Sequence, residues 1–280
     1  MRRVVVTGIG TINSTGHNVK DSFKAVVDGV CGIDTITLFD ASEFSVKIAG
    51  EVKDFDPTTV MDKKEVKKAD RFIQLGIKAA LEAMIDSGYV TQEDKKVDAS
   101  IADRFGMISG SGIGGLSTIE RNSIVCETKG SRKVSPFFIP SSLANMLSGF
   151  ISIEHNLRGP SLSHVTACAA STHALNDAVK TIMIGGADRI LVVGAESAIC
   201  AAGVAGFAAM KALSTRNDKK KKSSRPFDID RDGFVMGEGA GALVVEDLEI
   251  ALARGAKIYA EIIGFGESGD ANHITSPVID

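Results

Sequence analysis

The chain has 280 residues, of which 44% are hydrophobic and 24% are charged, with 32 Lys and Arg against 35 Asp and Glu. This apolar content excludes a disordered segment and predicts a globular protein of one large or two small domains. The net charge of -3 excludes the basic surface of a dedicated nucleic-acid binder, so no nucleic-acid partner is expected.

No targeting, membrane-spanning or disulfide-rich segment is expected. The start, MRRVVVTGIG, has only three consecutive valines, which is too short for a secretory signal, and about twenty uninterrupted apolar residues occur nowhere. The four cysteines form no C-x-x-C pair, so neither a disulfide scaffold nor a metal site is predicted. A cytoplasmic location fits these features best.

Short β-branched runs alternate with segments of helical period, which is typical of an α/β protein with parallel strands joined by crossover helices. The clearest helix covers 64–87, where apolar residues recur at steps of three and four. The other predicted helices are 19–28, 115–128, 141–156, 168–184 and 247–254. The predicted strands are 3–7, 105–109, 161–166, 189–194, 241–246 and 257–264. The polar stretch 214–232, with four consecutive lysines, indicates a solvated loop.

The segment GPSLSHVTACAASTHALNDAVK indicates a nucleophile. A strand passes through a turn of small residues into a helix that begins at or next to Cys168. Unpaired N–H groups and the positive end of a helix favour a thiolate over a thiol, so this cysteine is expected to be reactive and accessible. The other cysteines, Cys31, Cys126 and Cys200, are expected to be small buried apolar residues.

No neighbouring histidine is expected to assist Cys168. His173 lies five residues along the same predicted helix, about 140° around its axis. His164 lies four residues back along a strand, about 13 Å away. The remaining histidines could approach only through the fold, and they are His17, His155 and His273.

The motifs around Cys168 resemble those of a known family. TACAAS at Cys168, STRND at 214–218 and RPFDIDRDGFVMGEGAGALVVE at 225–246 resemble the β-ketoacyl-acyl carrier protein synthases, the condensing enzymes of fatty acid synthesis. The resemblance runs from VVVTGIG through DRFIQLG, GSGIGG and SPFFIPSSLANM to SGDANHITSP, and therefore covers nearly the whole chain. SGDANHITSP and Ile113 are most similar to the synthase II type, which elongates longer acyl chains.

The resemblance implies an acyltransferase with a thiolase-like layered α/β fold of two similar halves. Cys168 would form the acyl-thioester, its backbone N–H would be one of two oxyanion donors, and no metal or cofactor is implied. Residues 1–255 correspond to the N-terminal half, and 256–280 to the first strand of a C-terminal half that is otherwise largely absent. In the family, that second half supplies two catalytic histidines, a lysine and the second oxyanion donor. We therefore expect that the chain does not complete the Claisen condensation of acyl and malonyl carriers.

Substrate and partner residues also follow from the resemblance. Ile113, Phe138 and Thr275 correspond to the substrate pocket and channel, although core packing is the alternative for the first two. Lys64, Lys67, Lys68 and Arg71 are spaced to form a cationic stripe on the predicted helix, for which a solvated face is the alternative. Arg132, Lys133 and Lys211 match positions where these synthases hold the acidic acyl carrier protein. Phe137, Phe138 and the following helix resemble a dimer interface, which implies a homodimer.

Parts of the sequence also fit two other functions. Gly110, Gly112 and Gly115 satisfy G-x-G-x-x-G between a predicted strand and helix, which can mark the dinucleotide site of an oxidoreductase. The segment about twenty residues later, ETKGSRKVSP, lacks the acidic residue that would hold a ribose, so loop packing is the preferred interpretation of these glycines. A catalytically degenerate remnant that forms dimers or binds acyl carrier protein is the second alternative.

Overall fold

The computed structural model describes residues 1–275 and residue 278. The strands are β1 (Val4–Asn13), β2 (Asp34–Thr35), β3 (Ile48–Ala49), β4 (Phe105–Gly110), β5 (Ser161–His164), β6 (Arg189–Glu196), β7 (Gly239–Asp247) and β8 (Ala260–Ile262). The α-helices are α1 (Val19–Val27), α2 (Lys63–Val66), α3 (Arg71–Asp86), α4 (Ala99–Ala102), α5 (Leu116–Lys129), α6 (Phe138–Ser142), α7 (Met146–His155), α8 (Ala170–Met183), α9 (Ala201–Ala209) and α10 (Leu248–Ala253). Within the described residues, none of these helices has the length and apolarity that a membrane crossing requires.

Six of the described strands form one sheet in the order β5-β4-β6-β7-β1-β8. β4 is parallel to β5 and β6, but β7 is antiparallel to both β6 and β1, and β8 is antiparallel to β1. The prediction of a parallel sheet is therefore wrong for β7 and β8. The end of β6 at Glu196 lies opposite the start of β7 at Gly239. The segment that connects these two strands therefore begins and ends at the same end of the sheet, which makes β7 antiparallel to β6.

Helices cover both faces of the sheet, as its apolar strands predicted. On one face α3 and α7 bury Phe72, Leu75 and Leu147 against β4, β6 and β7. On the other face α8 buries Val179 and Ile182 against the same strands. This arrangement leaves the strand ends free to present side chains.

Two glycines of β1 allow α3 to lie close to the sheet. A Cβ atom at Gly8 or Gly10 would overlap the backbone carbonyl oxygens of Ala83 and Ala79 in α3. The glycines of the VVVTGIG motif thus serve helix packing within a strand and do not form a phosphate-binding loop.

The predicted helix 64–87 is two helices. The side chain of Asp70 accepts a hydrogen bond from the N–H of Phe72 at 3.3 Å, which caps α3 and ends the continuity with α2. Residues 141–156 are likewise interrupted, because Leu143 is extended between α6 and α7. Helix α9 was not predicted.

Two further regions were predicted from the sequence, a loop at 214–232 and the first strand of a second half at 256–280. Residues 214–232 form a loop with a 3-10 turn at Asn217–Lys222. Within 256–280, β8 pairs with Val4–Val6 of β1 and so extends the same sheet. The domain boundary at residue 255 stays a prediction.

Candidate active site

A pocket of about 660 Å³ lies where the parallel strands β4, β5 and β6 end. The carboxyl ends of parallel strands meet at one edge of a sheet, and the chain segments that follow them form the crevice where α/β proteins bind ligands. The pocket is lined by Cys168, Ile113, Glu196 and mainly apolar side chains and glycines, including Ala198, Phe207, Phe234 and Met236.

Cys168 lies on a strained turn at the mouth of this pocket. The turn Ala167–Ala169 is a single 3-10 turn that leads directly into α8 at Ala170. Ala167 has a φ of 51°, a left-handed conformation that a residue with a Cβ atom seldom adopts. Cys168 is exposed, and so it meets both conditions predicted for a nucleophile, namely a place at the start of a helix and access from solvent. Of the three cysteines predicted to be buried, Cys200 is buried and Cys31 is half-buried, but Cys126 is exposed and was predicted wrongly.

Two glycines hold the first turn of α8 against the sheet. A Cβ atom at Gly110, the last residue of β4, would overlap the carbonyl oxygen of Ala170. A Cβ atom at Gly194 in β6 would overlap the hydroxyl of Ser171. The backbone contact at Gly110 therefore fixes the position of the cysteine turn, and the contact at Gly194 is with the side chain of Ser171.

Glu196 binds the loop that follows β4. Its Oε2 accepts hydrogen bonds from the backbone N–H of Gly112 at 2.7 Å and of Ile113 at 3.0 Å. Burial raises the pKa of this carboxyl above its ordinary value, while the two N–H donors oppose that rise. These N–H groups are the ones a G-x-G-x-x-G loop would direct at a dinucleotide phosphate, and here they are occupied by an acidic group. These N–H groups are therefore not free to bind a dinucleotide phosphate, which argues against a dinucleotide site in this loop.

The two histidines near Cys168 in sequence have other partners. His164 Nε2 lies 3.1 Å from Asp177 Oδ2, and His173 Nδ1 lies 2.7 Å from the hydroxyl of Thr166. Their rings contact each other edge to face, with centroids 6.5 Å apart. This small polar cluster braces β5 against α8 beneath the cysteine turn.

The first 251 residues match the family model described as the β-ketoacyl synthase N-terminal domain. The chain belongs to the β-ketoacyl synthase family. It is 51% identical over 279 residues to 3-oxoacyl-[acyl-carrier-protein] synthase 2 of Vibrio harveyi, covering 100% of this chain and 66% of that protein. It is 49% identical over 276 residues to the protein of the same name from Coxiella burnetii, covering 99% of this chain and 65% of that protein.

Solved structures of the family have the same fold. A β-ketoacyl synthase from Burkholderia phymatum superimposes with a TM-score of 0.89 at 31% identity, covering 99% of this chain and 67% of that one. The ishigamide ketosynthase/chain length factor gives a TM-score of 0.83 at 35% identity, covering 97% and 65%. The thiolase-like α/β fold is thereby confirmed, and the chain spans about two thirds of the length of the curated synthases it matches.

The structure brings only some of the predicted substrate residues together. Ile113 shares the pocket with Cys168. Phe138 is half-buried at the start of α6, and Thr275 is exposed, with its N–H donating to His273 Nδ1 at 3.1 Å. Neither of these two described residues lines the cysteine pocket, so their substrate roles stay predictions.

A second cavity, of about 850 Å³, is lined by two of the predicted partner residues and by Arg71 of the predicted cationic stripe. Lys67, after α2, and Lys133, after α5, both line it and both are exposed. Lys64 and Arg132 are exposed neighbours of these two in sequence, whereas Lys211 lies two residues after the end of α9 and does not line the cavity.

The cationic stripe is shorter than predicted. Arg71 turns inward, where its guanidinium donates to Glu238 at 2.7 and 2.8 Å and to the carbonyl of Val52 at 2.6 Å. Lys68 is half-buried, pairs with Glu65 at 2.5 Å and lies 5.6 Å from the ring centroid of Phe137. The stripe was predicted wrongly at Arg71, because the break at Asp70 changes the helical phase on which the spacing argument depended.

Glu196 was missed by sequence reasoning. The available signal was a carboxylate at the end of the apolar strand ILVVGAE, where an acidic side chain must find a partner. Its partner is 83 residues away in the GSGIGG loop, and no spacing rule connects the two segments.

Proposed function

We propose that this chain is the acyl-accepting part of a condensing enzyme of type II fatty acid synthesis. In this reaction the Cys168 thiolate attacks the carbonyl carbon of an acyl thioester on acyl carrier protein. A new C–S bond forms, the bond to the carrier sulfur breaks, and the released carrier thiolate takes up a proton. The observation that carries the proposal is the exposed Cys168 on a left-handed turn at the mouth of an apolar pocket.

The pocket has the chemistry that an acyl chain requires. Ile113, Phe207, Phe234 and Met236 line it with hydrocarbon, and transfer of each methylene from water into such a site contributes about 0.8 kcal/mol. Selectivity for acyl groups then follows from burial of the chain, while the thioester remains at the exposed mouth.

The proposed partner is acidic acyl carrier protein. Lys67 and Lys133 converge at one cavity, with Lys64 and Arg132 beside them, and Lys68 and Lys211 complete the predicted set. Complementary charge accelerates encounter more than it raises final affinity. The names of the curated relatives include this carrier, which agrees with the charge of the surface.

The second half of the reaction is the condensation with malonyl carrier, in which groups must stabilise the enolate released by decarboxylation. His164 and His173 are already hydrogen-bonded to Asp177 and Thr166. For the 280-residue polypeptide assayed alone, we therefore expect acyl transfer to Cys168 without β-ketoacyl product above background.

A homodimer in the cytoplasm is the proposed form of the protein. Of the described strands, β5 is the outermost on its side of the sheet; Leu162 in β5 is 47% exposed, and Val165 directly after it is 56% exposed. Ile139 and Leu143, in the segment that resembles the family's dimer interface, are also exposed. An edge strand with apolar residues is a template for pairing with a second copy. Sedimentation equilibrium of wild type and Leu162→Lys tests this, with a monomeric wild type as the contradicting result.

The test of function is the rate at which acyl carrier protein loads Cys168 under single-turnover conditions. Lys67→Glu with Lys133→Glu should slow loading at low salt, and the difference should shrink as salt rises, because exposed charges are screened within about 10 Å at 0.1 M. Lys20→Glu with Lys96→Glu reverses two exposed charges outside the cavity and is the matched control. Carrier binding without loading in wild type would instead favour the noncatalytic carrier-binding alternative.

A further inference from the structure

Glu196 connects the strand beside the nucleophile to the loop that carries Ile113. Its Oε2 accepts both the Gly112 and Ile113 N–H groups, and the hydroxyl of Ser111 lies 3.5 Å away. Its Oε1 is buried without a hydrogen-bond partner among the described residues. Of the described side chains that line the cysteine pocket, Glu196 is the one carboxylate, and lysine and arginine are absent from them.

The loop also contacts the cysteine turn and makes a hydrogen bond within itself. A Cβ atom at Gly112 would lie 3.0 Å from Glu196 Oε2 and 3.4 Å from the carbonyl oxygen of Ala167, so the loop is confined between the carboxylate and the cysteine turn. Gly114 has a φ of +77°, and its N–H donates to Ser111 Oγ at 3.1 Å. Glu196 binds the backbone N–H of Ile113 directly, and the side chain of Ile113, which is 40% exposed, lines the pocket.

Burial of the Glu196 carboxylate opposes folding. Desolvation of an ionised group opposes folding, and among the described residues backbone donors bind Oε2 but not Oε1. Charge-assisted hydrogen bonds are about twice as strong as neutral ones, so the charge contributes rigidity that an amide at this position would not.

We infer that Glu196 is a positioning residue that sets the usable depth of the acyl pocket, by fixing the loop that carries Ile113. The inference rests on the proposed function, because it concerns the length of the chain that Cys168 accepts. Weakening the Glu196 bonds lets Ile113 move aside, so long chains should gain access relative to short ones.

The test uses alkylation of Cys168 by N-ethylmaleimide and N-dodecylmaleimide, which measures pocket depth without acyl transfer. The thiolate adds to the maleimide double bond, the adjacent carbon takes up a proton, and no group leaves. In the full 280-residue chain, Glu196→Gln should raise the ratio of the dodecyl to the ethyl rate about five- to tenfold, as expected when charged hydrogen bonds are replaced by neutral ones. Glu249→Gln, which alters an exposed carboxylate of α10, should leave the ratio unchanged.

A double-mutant cycle separates positioning from a general loss of structure. Ile113→Ala should raise the ratio by itself, and Glu196→Gln should then add less than about twofold, because the two changes act through the same side chain. An unchanged ratio in folded Glu196→Gln would overturn the inference, as would effects that multiply in the double variant. Circular dichroism melting curves establish that each variant is folded.

Acyl loading is measured in parallel with eight- and sixteen-carbon acyl carriers. The same shift in favour of the longer chain supports both proposals. A shifted maleimide ratio in a chain that accepts no acyl group would overturn the proposed function while supporting control of pocket depth by Glu196. Normal acyl loading with an unchanged maleimide ratio would support the proposed function and overturn control of pocket depth by Glu196.

Discussion

Replacement of Arg71 by methionine should strongly destabilise the fold, although the spacing of the sequence places this residue among surface lysines. Its guanidinium makes two hydrogen bonds to Glu238, whose side chain is 0% exposed, against 25% for Arg71. Glu238 also accepts from Ser197 Oγ at 2.6 Å and from the N–H of Val52 at 2.8 Å. Arg71→Met would leave this carboxylate buried without its counter-charge.

Breaking a buried ion pair from one side typically costs about 3–5 kcal/mol, since the remaining charge is desolvated and unpaired. We expect a loss of that size in the free energy of unfolding for Arg71→Met. Exposed Lys67→Met should change it by less than about 0.5 kcal/mol, as is usual at the surface. A much larger loss of stability for Arg71→Met than for Lys67→Met would show that Arg71 is a structural residue and not part of the exposed cationic stripe.

Urea denaturation followed by circular dichroism provides the assay. The double variant Arg71→Met with Glu238→Gln removes both charges and should recover most of the loss, because the uncompensated carboxylate is its main cause. A loss below about 1 kcal/mol for Arg71→Met alone, well under the usual cost of breaking such a pair, would refute the reasoning.

Two further predictions concern a buried histidine and the glycines. His155 is fully buried, Nδ1–H donates to the carbonyl of Lys95 at 2.6 Å, and burial lowers the pKa of the ring. Below a pH of about 6.5, His155 binds a proton in the unfolded chain but resists protonation in the folded chain. The free energy of unfolding should therefore fall as the pH drops from 7.5 to 5.5, and it should fall less in His155→Gln. An equal pH dependence of the unfolding free energy in the two proteins, measured by urea titration, would contradict this. Gly110→Ala should lose about 1–3 kcal/mol and slow Cys168 alkylation, because the methyl overlaps Ala170, as overpacking does. Gly206→Ala, in open space within α9, should gain about 0.5–1 kcal/mol. A Gly110→Ala variant that is as stable as wild type would contradict the packing argument.

The sheet strands and most helices were predictable, because their apolar patterns are local. β4 and β6 fall close to their predicted spans, while β1 is longer and β8 is shorter. The direction of β7 was not predictable from its own residues, since it depends on the end of the sheet at which the preceding excursion returns. The break between α2 and α3 had a local signal, the N-cap Asp70, which the longer apolar periodicity obscured.

The site was predictable where its chemistry is contained in one turn. Cys168 and its helix follow from TACAAS alone, and the structure adds the left-handed Ala167 that sharpens the turn. The meeting of Ile113 with Cys168 depends on the parallel pairing of β4 with β5. The contact of Glu196 with the same loop depends on the pairing of β4 with β6, so it requires the three-dimensional fold.

The central claim is that Cys168 accepts an acyl group from a carrier thioester. Its most direct test is peptide mass spectrometry after one turnover with acyl carrier protein charged with a saturated chain. We predict the mass of the acyl group on the peptide that contains Cys168, removable by hydroxylamine, and its absence from Cys168→Ala. An acyl group on Cys31, Cys126 or Cys200, or an unmodified Cys168 in the folded wild-type chain, would contradict the account.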